Sequence, residues 1–93
     1  MGENKSKYYV VSLWKPSKNL STIITKHRYV FLNRKRAEDE LKRCQEVVDM
    51  RAKFKDESKN YRCTMNGYKT YKLKKGDEIM DNKYVVWTFK SRK

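Results

Sequence analysis

Two stretches near the start of the chain, KYYVVSLWK (7–15) and STIITKHRYVFLN (21–33), are dense in β-branched and aromatic residues, and a period of two sorts each into faces. In the first, Tyr9, Val11 and Leu13 share one side while Tyr8, Val10, Ser12 and Trp14 share the other. In the second, Ile23, Tyr29 and Phe31 lie opposite Lys26 and Arg28 if no bulge interrupts the alternation. PSKNL between them supplies turn residues at Pro16 and Asn19, so the pair reads as a hairpin.

The period then lengthens. In NRKRAEDELKRCQEVVDMRAKFKDE (33–57), Ala37, Leu41, Cys44, Val47, Val48 and Ala52 recur at steps of three and four, the stripe of an amphipathic helix. Asn33 is placed to cap its start. Glu38 with Lys42, Asp39 with Arg43 and Asp49 with Lys53 form acid-first pairs four apart.

Period two returns in YRCTMNGYKTYKL (61–73), where Asn66-Gly67 is a strong signal for a two-residue hairpin turn. That register puts Arg62, Thr64, Lys69 and Tyr71 on one face and Tyr61, Cys63, Met65 and Tyr68 on the other. KKGDEIMDNK turns at Gly76 and again near Asp81-Asn82. The last run, YVVWTFK (84–90), reads as a strand with Val85, Trp87 and Phe89 on one side and Tyr84, Val86, Thr88 and Lys90 on the other. These elements predict an α+β fold, a mainly antiparallel sheet of four to five strands with one long amphipathic helix on one face, in the order ββαββ with room for one further short strand. The 93 residues make a single domain, 1–93, with ends at 1–6 and 91–93 expected to be flexible.

Charge sharpens this picture. Of 24 Lys/Arg and 11 Asp/Glu, the stretch from Arg34 to Glu57 holds 8 and 7, so 16 and 4 lie elsewhere, and the excess of the +13 chain is off the helix. A single helix covers one side of a sheet, so the expectation is an open face carrying cations interleaved with rings. Cations release counterions from phosphates and rings stack on unpaired bases. Lysines outnumber arginines 17 to 7, which favours point-charge phosphate contacts over bidentate base reading. The chain therefore reads as a non-catalytic nucleic-acid-binding protein of low sequence specificity. Lys26, Arg28, Arg62, Lys69, Lys72, Lys74, Lys75 and Lys90 are the candidate phosphate contacts, and Trp14, Tyr71 and Tyr84 the candidate stacking rings. The same residues would also suit a merely solvated sheet face. DNA and RNA, single and double strands, are not distinguished at this stage.

Two other classes compete. A phage- or plasmid-type inhibitor or adaptor that binds an acidic protein surface or a nucleoprotein complex would use the same basic face. Small basic ribonuclease toxins work with Arg, Lys and Tyr, which this chain has in quantity, although their helices precede the sheet. His27 is the only histidine and reads as structural, so no Ser/His/Asp or Cys/His site is expected. Gly2, Gly67 and Gly76 are isolated and form no phosphate-binding loop. Two cysteines and one histidine cannot supply four zinc ligands, and no metal or cofactor is expected.

With no secretory segment evident, Cys44 and Cys63 read as reduced thiols of an intracellular protein, cytoplasmic or associated with nucleoid or nucleus, although one disulfide is possible. MGENKS matches the loose N-myristoylation pattern at Gly2 and Ser6, but nothing else reads as membrane-seeking. An exposed sheet face or edge also leaves a homodimer open.

Overall fold

The run YYVVSLWKP becomes the middle strand. β1 (Tyr8–Pro16) lies between β2 (Ile23–Phe31) and β3 (Arg62–Tyr68), both antiparallel to it, and α1 (Arg34–Ala52) packs on one face. The computed structural model describes residues 6–19, 21–53, 60–75 and 77–87. Among these the sheet has three strands in the order β2-β1-β3 and the element order is ββαβ, which corrects the expected four- to five-stranded ββαββ arrangement.

The first correction is at Asn66-Gly67, which is not a turn. β3 runs straight through it, with Asn66 opposite Val10 and Gly67 opposite Tyr9, so the ladder with β1 extends from Trp14 to Tyr8. A hairpin at this point would leave half of that edge of β1 unpaired. Glycine serves another purpose here: a Cβ at 67 would lie 2.9 Å from the Ser6 Cβ and closer still to its hydroxyl. It permits a close approach of backbones rather than a reversal. Lys69 and Tyr71 therefore do not fold back beside Arg62 and Thr64.

The second correction is the final run. Residues 84–87 are not a ladder strand, although the alternation holds: Val85 and Trp87 are buried, Tyr84 and Val86 exposed. Side chains of α1 occupy the carbonyls that a neighbouring strand would bond. Arg36 donates to the Lys83 carbonyl, and Arg43 Nη1 to that of Val85 at 3.4 Å. Trp87 Nε1 donates to Glu40 at 3.1 Å. Phe89 and Lys90 lie outside the described residues.

α1 carries the expected stripe, with Ala37, Cys44 and Val48 buried and Leu41 and Val47 partly so. Asn33 caps it by accepting from the Arg36 N–H at 3.0 Å. The expected acid-first pairs do not form among the described residues; Arg34–Glu38, Lys35–Asp39 and Arg36–Glu40 form instead, with Arg43–Glu40. Glu40, buried on the inner side of the helix, draws in both Arg36 and Arg43 because a buried carboxylate must be paired, which takes Arg43 from Asp39.

Cys44 and Cys63 form a disulfide, with their Cα atoms 6.3 Å apart, which corrects the reading of two reduced thiols. The register explains it: Cys63 lies opposite Leu13 on the helix-facing side of the sheet, and Cys44 is in the buried stripe above. No helix among the described residues is long and apolar enough to cross a membrane.

The register of β2 slips once. Leu13 faces His27 and Trp14 faces Thr25, so Lys26 is the extra residue of a bulge. Beyond it the faces exchange, and Ile23 no longer shares a side with Tyr29 and Phe31. Ile23 and Ile24, opposite Pro16 and Lys15 at the end of the hairpin, are left 59% and 44% exposed.

Candidate nucleic-acid interface

The sheet face away from α1 carries Tyr8, Val10, Ser12 and Trp14 from β1, with Arg28 and Val30 beside them on β2 and Arg62, Thr64, Asn66 and Tyr68 on β3. This face is not wholly open, as a one-helix fold led us to expect. The chain after β3 returns across one half of it. Tyr71 packs on Tyr8 and Tyr68, with ring centroids 6.2 and 5.1 Å away, and Val10 and Val30 are buried.

Asp77 fastens this returning segment. One carboxylate oxygen accepts from Arg28 Nη2 at 2.9 Å and Nε at 3.3 Å; the other accepts from the Lys74 N–H at 3.0 Å and the Tyr71 hydroxyl at 3.3 Å. Burial pushes the Asp77 carboxyl up, but the Lys74 N–H and the Arg28 guanidinium outweigh it, and the group titrates below its ordinary range. The hydrogen bond to Asp77 holds Arg28 above its usual value, and burial raises the Tyr71 phenol. Two of the expected ligand contacts, Arg28 and Tyr71, are thus engaged in holding the fold. Lys69, Lys72, Lys74 and Lys75 ride exposed on the same segment.

Tyr84 stands apart from the sheet, 74% exposed, with the Arg43 guanidinium 5.2 Å over its ring. His27 is buried and stacks on Tyr29, centroids 5.8 Å apart, and the edge of Trp87 meets both rings. Among the described residues no three His, Cys, Asp or Glu side chains gather as a metal site.

The open half is the hairpin end. Trp14 is half-buried there, its indole N–H donating to Thr64 Oγ1 at 3.2 Å, with Arg62 and Thr25 as its cross-strand neighbours and Lys26 at the bulge. Beyond it lies a shallow groove of about 410 Å³ lined by Lys15, Pro16, Ser17, Lys18, Ile24 and Asn60. The Lys15 ammonium is 5.5 Å from the centre of the Tyr61 ring. Lys15, Lys18, Lys26 and Arg62 make no ion pair with a carboxylate among the described residues, whereas the cations of α1 and Arg28 are largely matched.

Of the residues singled out from sequence, the fold brings Trp14, Lys26 and Arg62 together here, and Arg28 and Tyr71 together around Asp77. It separates these groups from Tyr84. Sequence reasoning missed Lys15, Lys18, Ile23 and Ile24. Two adjacent isoleucines near a turn cannot both point into a core from one strand, and that signal was available in the sequence.

No family model matches the chain, and no curated protein or solved structure is significantly similar to it.

Proposed function

We propose that this protein is a non-catalytic nucleic-acid-binding domain of low sequence specificity, reading phosphates through the hairpin end of its sheet. The observation that carries the proposal is Lys26 and Arg62 beside Trp14, with Lys15 and Lys18 at the groove beyond, none of the four with a carboxylate partner among the described residues, in a chain of net charge +13. Unpaired cations on a rigid sheet are poised to displace condensed counterions from a phosphate backbone. Lys69, Lys72, Lys74 and Lys75 extend the positive surface along the returning segment. An intracellular location, cytoplasmic or with nucleoid or nucleus, belongs to this proposal, and the disulfide would then be a bond the cell can open and close.

Fluorescence anisotropy with a labelled oligonucleotide at several salt concentrations is the test, and affinity is expected to fall steeply as salt rises. Lys26→Glu with Arg62→Glu should cost far more than Lys42→Glu with Lys53→Glu, which reverses the same charge at exposed positions on α1 and at its C-terminal cap. Equal losses would show long-range attraction without a specific face. Binding that is absent at low salt would favour an acidic protein surface as the partner.

A further inference from the structure

We infer that the β1–β2 hairpin end is a wedge for double-stranded DNA, entering a groove and prying apart a base step with Ile23 and Ile24. The inference rests on the nucleic-acid reading above and adds the form of the ligand and the manner of binding.

It begins at the Lys26 bulge. An unbroken alternation would place Ile23 on the helix-facing side with Tyr29 and Phe31. The one-residue slip reverses this, so at the hairpin end Ile23 pairs with Pro16 in line with Trp14, and Ile24 pairs with Lys15 beside the groove. One isoleucine thus stands on each face of a two-stranded ribbon, both largely exposed.

Hydrogen bonds join the described residues at the end of this ribbon. Asn19 Oδ1 accepts from Ser17 Oγ at 2.8 Å, Ser21 Oγ at 2.7 Å and the Ser21 N–H at 3.1 Å. The Ser17 N–H donates to the Thr22 carbonyl at 3.0 Å, and the Thr22 N–H donates back to Ser17 Oγ. Groups already tied together lose little entropy on insertion.

Branched aliphatic side chains offer no flat ring to a single-stranded base. Isoleucine and proline are, however, the residue types that wedge between stacked pairs and kink a duplex. A two-stranded ribbon fits a groove about 12 Å wide, and a groove of about 6 Å admits one once a kink opens it. Lys15 and Lys18 lie beside the isoleucine pair, and Lys26 and Arg62 stand behind it on β2 and β3. This pattern supplies cations for the phosphates on both sides of an inserted wedge. Duplex RNA suits it less, because its major groove is deep and narrow and its minor groove shallow.

The test uses the full-length protein and a short DNA duplex carrying 2-aminopurine at an internal step and a fluorophore pair at its ends. Wild type should raise 2-aminopurine fluorescence as the base unstacks and raise energy transfer as the ends approach, both saturating with binding. The Ile23→Ala, Ile24→Ala double variant, checked by circular dichroism, should abolish both signals with affinity within about tenfold of wild type, since losing the wedge also removes the cost of unstacking. Ile23→Leu with Ile24→Leu should keep them. Wild type that binds duplex DNA without either signal, or an alanine variant that retains both, overturns the wedge and leaves nucleic-acid binding standing. Tighter binding to the single strand or to duplex RNA of the same sequence does likewise. Isoleucine-dependent capture by phosphatidylserine-rich vesicles, with no duplex unstacking, would make the tip a membrane contact and also overturn it. Absence of binding to any nucleic acid at low salt would defeat both readings together.

Discussion

Replacing Asp77 by asparagine should loosen the returning segment, and the structure sets how much. The carboxylate is 5% exposed and the Arg28 side chain 32% exposed. One oxygen serves Arg28, the other serves Lys74 and Tyr71. An amide keeps one oxygen and turns an NH2 towards donors on the other side, so one set of bonds to a charged group is lost. Hydrogen bonds of that kind contribute about 1.5–3 kcal/mol, and because Arg28 can still reach water the cost should sit near 2 kcal/mol, a fall in Tm on the order of 10 °C for a chain of this size. The pH dependence has a definite sign. Asp77 titrates below its ordinary value of 3.8, so its contribution is fully present above that value and is lost as the pH falls through the folded-state pKa. Urea denaturation of both proteins across pH should therefore show a constant gap at neutral pH that closes in acid. A gap that stays constant well below the carboxylate range, or no gap at pH 7, would refute the assignment of Asp77 as the ionised clasp of the sheet.

Three further outcomes are expected. Opening the Cys44–Cys63 disulfide with dithiothreitol releases a cross-link between residues 19 apart in sequence and should lower stability by about 3 kcal/mol, read as a shift in urea midpoint that a Cys44→Ala, Cys63→Ala variant does not show on adding reductant. Gly67→Ala should destabilise the fold by about 1–3 kcal/mol in the same assay, because the new Cβ drives into Ser6, whereas Gly67→Ala with Ser6→Gly should recover much of the loss. Glu40→Gln should cost about 1–3 kcal/mol and shift the fluorescence of Trp87, observed alone in a Trp14→Phe background, by disturbing the carboxylate that accepts its indole N–H.

The helix was legible from sequence because its 3.6-residue period, its Asn33 cap and the burial of Ala37, Cys44 and Val48 all point one way. The β1–β2 hairpin was legible for the same reason. What misled was chemistry with two uses. Asn-Gly serves a tight turn and also a place where another backbone must pass, and only the position of Ser6 decides between them. The Val85 and Trp87 alternation correctly marked inward-facing residues but could not say that arginines, rather than a strand, would satisfy the neighbouring carbonyls. Glu40 was unreadable as a buried group because the indole N–H that meets it, that of Trp87, is brought by a segment more than 40 residues away. At the candidate interface, Trp14, Lys26 and Arg62 were named from composition and charge. Their grouping depends on a bulge and a strand register that no local pattern encodes.

Among the described residues the run from Tyr84 to Trp87 has no backbone ladder to either neighbour; its side chains and the Arg43 bond to the Val85 carbonyl hold it. Side-chain immobility and amide protection, which normally travel together, should come apart in it. Its amides should exchange with deuterium far sooner than those of β1, while the Val85 methyls and the Trp87 ring stay as fixed as any in the core. Such a segment tolerates backbone changes that a strand does not: proline at exposed position 86 forfeits no ladder bond among the described residues, so the backbone there can vary without disturbing the sheet.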